Sequence, residues 1–320
     1  MGSNDDLPIV NFEALSLKHE QVPDRDDPTV KEVARQMVKH FSTVGFVYIT
    51  NHGLTLEKVD AAFSAGDRFF TLESEVKRKY KKGERASQNG WDALERESVN
   101  RREKTPGDLK ECFDIKDFLE DDFLWPVEVP NFKEHVLDLW KDTHELSLRV
   151  LSTVTIGMGL DPTTFDFAFK HTGKLEGNSA LRYTYYPKAD PTKVKPGQLR
   201  CGEHTDLGII TMLYQDELGG LEFLSAEGKY VPAVPIKGSI CINIGNMMQK
   251  LTSDRLIAGR HRVVVSEKEV NYLNQPRRSL VYFMRPDLDA QIMCLDGSNK
   301  YVPIISGNYV KQKLNATYQY

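Results

Sequence analysis

Cysteine is scarce in this chain of 320 residues, which contains only four. The four lie far apart and show no paired spacing, whereas a disulfide-stabilised domain would have a denser set. We therefore expect free thiols and a cytoplasmic protein. The cysteines are Cys112, Cys201, Cys241 and Cys294.

The chain also lacks long apolar runs, and none approaches the ~20 residues that a membrane span requires. Its net charge is −4, without a basic excess or a charge block, so we expect neither nucleic acid nor a membrane as partner. The polar, acidic residues 1–6 are unlike a secretory signal. A hydrophobic content of 40%, with no repeat or low-complexity linker, indicates one large globular unit.

What the sequence does contain is a His-x-Asp pair, His204 and Asp206, ahead of an apolar run. Side chains alternate along an extended chain, so residues two apart point to the same face. One strand end can therefore direct an imidazole and a carboxylate at one cation. The pair alone is weak evidence, because a hydrogen-bonded pair or a capped turn would give the same spacing.

A second histidine strengthens the metal interpretation. His261 is the only histidine after His204, and it begins a β-branched run that is typical of a strand. Two imidazoles and one carboxylate on one side of a metal suit iron(II) and leave the other side open for chemistry. The alternative is that His261 is an ordinary histidine packed within a strand.

An Arg-x-Ser pair follows in another predicted strand. Alternation places Arg277 and Ser279 on one face and Arg278 on the other. The planar guanidinium of arginine binds a carboxylate through two hydrogen bonds, and a serine hydroxyl can add a third. Two alternatives stay open: a surface ion pair at Arg277, or a functional role for Arg278 instead.

These features, in this order, resemble the non-haem iron(II)- and 2-oxoglutarate-dependent dioxygenases, and in particular their isopenicillin N synthase-like subgroup. The resemblance extends over nearly the whole chain. It rests further on residues 45–53 (GFVYITNHG), 110–115 (KECFDI), 185–187 (YYP) and 243–249 (NIGNMMQ).

The resemblance implies a mixed α and β fold, with a double-stranded β-helix (jelly-roll) core and N-terminal and backing helices. It implies an N-terminal region over residues 1–175 and a catalytic core over residues 176–320, joined in one globular unit. Iron(II) would be held by His204, Asp206 and His261. The cosubstrate 2-oxoglutarate would be held by Arg277, Ser279 and Tyr186, and dioxygen would take the last open position.

The implied activity is oxidation of a C–H bond of a small-molecule substrate, with release of succinate and carbon dioxide. Two alternatives remain. One is an iron oxidase that does not use 2-oxoglutarate, since such relatives use the same Arg-x-Ser pair for another carboxylate. The other is a non-catalytic binding protein on the same scaffold. The sequence identifies neither the substrate nor the oligomeric state.

Substrate contacts are expected from the long excursion between residues 84 and 130, and from the segment after Ser279. Trp91 and Phe113 are candidates by resemblance, and both are equally compatible with a place in the core. Phe283 and Arg285 are further candidates, for which the alternatives are a core aromatic and an exposed ion pair.

Coarser patterns predict the surrounding elements. Helices are expected over residues 28–41, 55–70, 132–158 and 309–320, with strands over residues 7–12 and 46–50 and many short strands after residue 179.

Three smaller features also carry predictions. The charged run over residues 73–82 predicts a solvated helix face, and the residues between His261 and Arg277 predict a surface hairpin. His135 and His144 are expected at the surface. His52, in an Asn-x-Gly setting, is expected to be a turn histidine bonded to backbone rather than a metal ligand.

Overall fold

The structure is a computed structural model that describes residues 7–82, 89–98, 106–116, 123–171, 177–188, 194–264 and 275–316. Its strands are β1 (Ile9–Asn11), β2 (Phe46–Thr50), β3 (Gly90–Asp92), β4 (Glu111–Ile115), β5 (Ala180–Tyr186), β6 (Cys201–His204), β7 (Ile210–Gln215), β8 (Leu221–Leu224), β9 (Tyr230–Pro232), β10 (Ile240–Ile244), β11 (His261–Val263), β12 (Arg277–Met284), β13 (Gln291–Ile292) and β14 (Ile304–Ile305). Its α-helices are α1 (Pro28–Phe41), α2 (Leu56–Phe70), α3 (Ser74–Arg78), α4 (Phe132–Gly157), α5 (Asn246–Leu251) and α6 (Ser306–Asn315).

Two facing sheets form the centre of the fold, as expected for a jelly-roll. The large sheet has eight strands in the order β1-β2-β10-β7-β12-β5-β4-β3, and the small sheet has four in the order β6-β11-β8-β9. Residues from both inner faces share one apolar cluster, in which the ring centres of Phe46 on β2 and Phe223 on β8 are 5.9 Å apart. The space between the two sheets is where inward-facing side chains can meet.

Alternation along β12 separates the two faces of the large sheet. Arg277 points inward, where it contacts Tyr186, whereas Leu280, Tyr282 and Met284 point outward into a second core under the helices. The long helix α4 backs this outer face and contacts α1, α2, β7 and β12. The helices therefore support the strand that carries the predicted cosubstrate residues.

Local sequence explains both ends of α1. The carboxylate of Asp27 accepts a hydrogen bond of 2.7 Å from the amide of Thr29, and Pro28 takes the first helical position. Beyond the helix, Gly45 has a φ of +76°, and a Cβ there would lie 2.3 Å from the carbonyl oxygen of Ile257. Only glycine fits this turn into β2.

Several predicted elements are confirmed to within a few residues. β2 spans the predicted residues, α2 ends at the predicted Phe70, and α4 ends at Gly157. The first strand is shorter than predicted, and α6 begins somewhat earlier. The predicted hairpin between His261 and Arg277 lies outside the described residues. Among the described helices, none combines the length and apolar character that crossing a bilayer requires.

The prediction of a solvated face for the charged run is wrong in part. Arg78 and Lys79 are exposed, but Lys77 and Lys82 are buried against β3 and β4. Lys77 pairs with Glu111 at 2.8 Å. Lys77 lies within α3 on the side that faces β4, and Lys82 is buried because the chain turns toward the sheet directly after this five-residue helix.

Both α4 histidines depart from the prediction, since His135 and His144 are partly buried. His144 is half-buried rather than exposed, because α4 lies against the sheet. Its Nδ1 is 2.6 Å from the hydroxyl of Tyr282, and its ring stacks on Trp140 at 5.1 Å. The prediction for His52 is confirmed, since its Nε2 lies 3.1 Å from the carbonyl oxygen of Gly238.

Candidate active site

The candidate metal ligands meet where β6 ends and β11 begins. The two strands are antiparallel, and His204 of β6 is the direct partner of His261 of β11. Asp206 follows β6 in the turn toward β7. One side-chain ligand atom from each of the three residues lies within 4.8 Å of the others. The structure therefore brings together three residues that are far apart in the sequence.

Backbone carbonyls set the orientation of both imidazoles. Nδ1 of His204 lies 2.8 Å from the carbonyl oxygen of Gly202, and Nδ1 of His261 lies 3.0 Å from that of Gly259. A neutral imidazole that donates through Nδ1 has its free lone pair on Nε2. Both Nε2 atoms are thereby available to a metal, which is how ligand histidines are usually presented.

Asp206 is buried next to the two histidines. Its Oδ2 accepts a hydrogen bond of 2.7 Å from the side-chain amide of Asn243, and its Oδ1 lies 3.8 Å from Nε2 of His204. Burial opposes ionisation, but His261, His204 and Asn243 together keep the pKa of Asp206 below its ordinary value. The carboxylate is therefore ionised at neutral pH.

His261 is held in its neutral form. Burial, to which the neighbouring His204 adds, lowers the pKa of His261 to about 4. Its ring meets Phe46 edge-on, with ring centres 5.5 Å apart. A Cβ at Gly259 would lie 2.1 Å from the Phe46 ring. Gly259 thus orients His261 through its carbonyl and leaves room for the aromatic ring that packs against it.

Arg277 lies on the inner face of β12 and is almost completely buried. Its Nε donates to the carbonyl oxygen of Gly219 at 2.5 Å, and its Nη2 donates to Oε1 of Gln215 at 3.3 Å. Its Nη1 has no hydrogen-bond partner among the described residues, and no described carboxylate forms an ion pair with the guanidinium. A buried cation without a counter-ion is costly, so this position suits an anionic ligand.

Tyr186 and Ser279 are buried beside Arg277. β5 and β12 pair so that Tyr186 is directly opposite Arg277, and the guanidinium lies 4.8 Å from the tyrosine ring centre. Ser279 is two residues further along the same face. Arg278 points to the other side of the sheet, where it pairs with Asp67. The structure therefore groups Arg277, and not Arg278, with the other inward-facing candidates.

A buried network of ion pairs, which the sequence reasoning missed, covers the inner face of β3, β4 and β5. Arg182 donates to both carboxylate oxygens of Asp114 at 2.6 and 2.7 Å, and to both of Glu97 at 3.0 Å. Lys110 pairs with Asp108 at 2.9 Å and with Glu97 at 3.2 Å. We call the whole set the inner charge network; its members are Lys82, Asp92, Arg96, Glu97, Asp108, Lys110, Asp114 and Arg182.

The inner charge network is balanced among the described residues, because its four carboxylates meet four cations. Burial opposes ionisation of Glu97, but Arg182 and Lys110 hold the pKa of Glu97 well below its ordinary value. Asp114 shows the same balance, with Arg182 and Lys82 lowering its pKa against the effect of burial. A single charged residue inside an apolar strand pattern, as Arg182 is within β5, was the sequence signal for it.

The inner charge network extends to the candidate metal ligands and to the candidate cosubstrate residues. Nζ of Lys110 lies 3.3 Å from Sγ of Cys201, and this sulfur is 4.0 Å from Nδ1 of His204. Burial raises the pKa of the Tyr186 hydroxyl to about 12, an effect that the cations of Arg277 and Lys110 oppose. The network therefore forms the wall next to the candidate metal and cosubstrate positions.

Two of the four candidate substrate residues face away from this site, which corrects their candidacy. Trp91 and Phe113 pair with each other across β3 and β4, in the outward-facing register of Tyr183. The ring centres of Phe113 and Phe69 are 4.8 Å apart, and Trp91 donates to Glu111 at 2.7 Å. Both are core residues, because the inward positions of these strands belong to the charge network.

The other two candidates lie close to the metal position. Phe283 is directly opposite Thr211 on the inner face, and the Thr211 hydroxyl contributes to lowering the pKa of Asp206. Arg285 is buried, which corrects the expectation of an exposed ion pair. Its guanidinium lies 4.8 Å from the ring centre of Phe283.

A cavity of about 720 Å³ is separate from this site. It lies on the outer face of the large sheet, between α2, the end of β7 and residues 235–240. Asp60, Tyr214 and Arg278 are among its lining residues, and none of the candidate metal ligands is.

Comparison with known proteins identifies the family. Residues 7–134 match the family model described as non-haem dioxygenase in morphine synthesis N-terminal, and residues 176–286 match the 2OG-Fe(II) oxygenase superfamily. The 2-oxoglutarate-Fe(II) type oxidoreductase ppzD of Metarhizium majus is 30% identical over 89% of each chain. Proline hydroxylase buaE of Petromyces alliaceus is 32% identical over 79% of this chain and 81% of that protein.

Solved structures agree with these matches. A full-length Neurospora crassa protein crystallised with alpha-KG and thymine superposes with a TM-score of 0.84 at 28% identity, covering 99% of both chains. A putative 2OG-Fe(II) oxygenase family protein from Caulobacter crescentus gives a TM-score of 0.79 at 25% identity, covering 98% and 99%. The chain therefore belongs to the 2OG-Fe(II) oxygenase superfamily, as an iron(II)- and 2-oxoglutarate-dependent dioxygenase that oxidises a small-molecule C–H bond with release of succinate and carbon dioxide.

Proposed function

We propose that the iron(II) and the 2-oxoglutarate of this oxygenase bind at two inner-face positions whose charge is unbalanced. The observation that carries the proposal is a contrast within one buried surface. An ionised carboxylate lies beside two imidazoles at one end, and a guanidinium that forms no ion pair among the described residues lies at the other. The iron ligands would be His204, Asp206 and His261. The cosubstrate residues would be Arg277, Ser279 and Tyr186.

The donor set of the first position fits iron(II). Two imidazole nitrogens and one carboxylate oxygen on one side of a cation leave the opposite positions for exogenous ligands. The backbone bonds of His204 and His261 hold both rings with Nε2 free, so little reorganisation is required on binding. The Asn243 amide holds one oxygen of Asp206 and so fixes the carboxylate plane.

The second position fits the far carboxylate of 2-oxoglutarate. Nη1 of Arg277 is the buried donor that lacks a partner among the described residues, and a carboxylate would supply both a counter-ion and an acceptor. The Tyr186 hydroxyl, whose pKa burial raises to about 12, is protonated at neutral pH and able to donate. Ser279 offers a further hydroxyl on the same face.

When bound, iron(II) with 2-oxoglutarate and dioxygen supplies the oxidising power for C–H cleavage. The contribution of the chain is binding, orientation and exclusion of water. Arg277 would anchor the cosubstrate at one end, while the three ligands hold the metal at the other. The apolar cluster around Phe46 and Phe223 shields the ligand side of the site, which strengthens electrostatic interactions there.

The inner charge network points to a polar substrate without net charge. Each described ion of the network already has a partner, so a substrate bringing a net charge would find no free counter-ion within the network. A neutral or zwitterionic molecule could exchange hydrogen bonds with Arg182, which retains 15% side-chain exposure. Phe283 and Arg285 would line the side nearest the metal.

The names of relatives are compatible with this class but do not decide it. The Neurospora crassa structures contain thymine or 5-formyluracil, and buaE is named for proline. None of these three molecules carries a net charge. A homoarginine-6-hydroxylase of Arabidopsis thaliana, 27% identical, is named for an amino acid with a positive side chain. The charge of the substrate must therefore be tested directly.

The test is succinate release by the full chain with iron(II) and 2-oxoglutarate in the presence of matched compounds. L-proline, its N-acetyl derivative and its amide form a zwitterionic, anionic and cationic series, and thymine with orotate forms a neutral and anionic pair. We expect stimulation by a neutral member and none by its charged analogues. Stimulation by charged members alone would contradict the substrate class and leave the iron and cosubstrate roles intact.

Two broader features complete the proposal. Residues 1–175 and 176–320 would act as one unit, because β1 and β2 of the first region extend the large sheet of the second. A cytoplasmic location is supported by four buried cysteines that form no disulfide. Neither nucleic acid nor a membrane is proposed as a partner.

A further inference from the structure

The residue before each ligand histidine is charged, and the two charges are opposite. Glu203 precedes His204, and Arg260 precedes His261. Nη1 of Arg260 lies 2.8 Å from Oε1 of Glu203. Because side chains alternate, this ion pair lies on the outer face of the small sheet, behind the histidines. It links β6 to the start of β11 at the level where the two histidines pair.

The ion pair is part of a longer set of contacts. The hydroxyl of Tyr230 is hydrogen-bonded to Oε2 of Glu203, and the guanidinium of Arg262 lies 3.8 Å from the Tyr230 ring centre. Nε of Arg262 donates to Oε2 of Glu222 at 2.7 Å. These contacts cross all four strands of the small sheet. The residues that make them are Glu203, Arg260, Tyr230, Arg262 and Glu222.

Backbone pairing alone holds this point of the sheet weakly. β6 is a four-residue edge strand, and β11 has only three residues. The register between them shifts between His261 and Val263, so regular pairing is interrupted beside a ligand histidine. Short, irregular pairing specifies register poorly, and a slip would move the two Nε2 atoms apart.

We propose that the Glu203–Arg260 pair is a positioning device that sets the distance between His204 and His261 and acts on metal affinity rather than on folding. The inference rests on the proposed iron site. Both side chains are partly exposed, Arg260 by 55% and Glu203 by 33%, and exposed ion pairs add little to global stability. Misplacing two ligands, in contrast, weakens metal binding directly.

The test measures cobalt(II) binding to the metal-free full chain, by absorbance titration and by the rate of release to a chelator. The variants are Glu203→Gln, Arg260→Gln, and the reversed pair Glu203→Arg with Arg260→Glu. Glu32→Gln is the control, because it removes an exposed ion pair with Arg35 on α1. We expect each single variant to raise the Kd roughly 3- to 10-fold, below the 10–100-fold typical of direct partners of a ligand.

The reversed pair should recover most of the affinity, and the control should bind as the unaltered chain does. Unaltered affinity in both single variants would overturn the inference, as would a reversed pair that binds no better than they do. Urea unfolding of the metal-free variants gives a second readout, since a large loss of stability would assign the pair to folding instead. If the unaltered chain binds no cobalt(II), the iron site itself fails, which is a distinguishable result.

Discussion

Two regions of the same inner face differ in how their charges are balanced. In the inner charge network, every described ion has an opposite charge within ion-pair distance, as Arg182 does in Asp114 and Glu97. At the candidate ligand positions, Asp206 lies beside the imidazoles of His204 and His261, and Arg277 has only neutral hydrogen-bond partners among the described residues. The charges of the inner charge network are paired, whereas those at the candidate ligand positions are not.

This difference in charge pairing separates residues that stabilise the fold from residues that bind a ligand. A buried ion without a counter-ion costs several kcal/mol, roughly, unless a ligand supplies the missing charge. Asp206 with its histidines thus suits a cation, and Arg277 suits an anion. The inner charge network has no such requirement, so its effect on the substrate is exerted through shape and hydrogen bonding. Substitutions in the two regions should therefore change different measured quantities.

The largest effect is expected from loss of a metal ligand. His261→Ala should reduce iron-dependent succinate formation by more than ~100-fold, since even indirect partners of ligands are worth 10–100-fold. His135→Gln on α4 is the matched control and should retain activity. A His261→Ala variant with near-normal turnover would show that the His204–Asp206 pair binds iron without it.

Loss of the unpaired guanidinium should act on the cosubstrate. Arg277→Gln should raise the KM for 2-oxoglutarate by roughly 100-fold or more, because removing one partner of a buried charge pair costs ~3–5 kcal/mol. Arg278→Gln, on the other side of the same strand, should change this KM by less than about threefold. Equal effects of the two variants would remove the distinction between the faces of β12.

Removing one cation from the inner charge network should lower the stability of the fold. Arg182→Met leaves the carboxylates of Asp114 and Glu97 buried without their main partner, and should lower the free energy of unfolding by ~3–5 kcal/mol in urea. Lys79→Met breaks only an exposed pair with Glu128 and should cost less than about 1 kcal/mol. An Arg182→Met protein as stable as the control would mean that the network is not a structural unit.

The smallest effect is a pH dependence. Glu97 and Asp114 have pKa values below their ordinary 4.5 and 3.8 in the folded chain, so they contribute stability above those values that is lost as the pH falls through the lowered ones. The free energy of unfolding should therefore decline below about pH 4.5. In Arg182→Met this decline should be shallower, as urea unfolding at several pH values would show. A steeper decline in the variant would contradict the assignment.

Much of the metal site could be predicted from sequence, because the ligands follow simple local rules. His204 and Asp206 are two apart on an extended chain, and Arg277 and Ser279 repeat that spacing on β12. Alternation also favoured Arg277 over Arg278 without knowledge of the fold. His261 was a candidate as the only histidine after His204, but its direct pairing with His204 could not be predicted, since no local rule links distant strands.

The inner charge network and the candidate substrate residues could not be predicted in the same way. Lys77 and Lys82 belong to a run whose composition indicates a solvated helix, but Lys77 lies on the side of α3 that faces β4, and the early end of α3 turns Lys82 inward. Trp91 and Phe113 were pocket candidates by resemblance and were equally compatible with the core, and the register of β3 on β4 directs them outward. Arg285, expected in an exposed ion pair, is buried and lies over the ring of Phe283. Each outcome is set by tertiary pairing.

The most direct test of the account is an anaerobic crystal structure of the full chain with manganese(II) and 2-oxoglutarate. We expect the metal on Nε2 of His204, Nε2 of His261 and the carboxylate of Asp206, with the far carboxylate of 2-oxoglutarate on Nη1 of Arg277. The ion pairs of Arg182 should be unchanged. A metal bound elsewhere, or a cosubstrate carboxylate paired with Arg182 in place of Arg277, would contradict the distinction between the two regions.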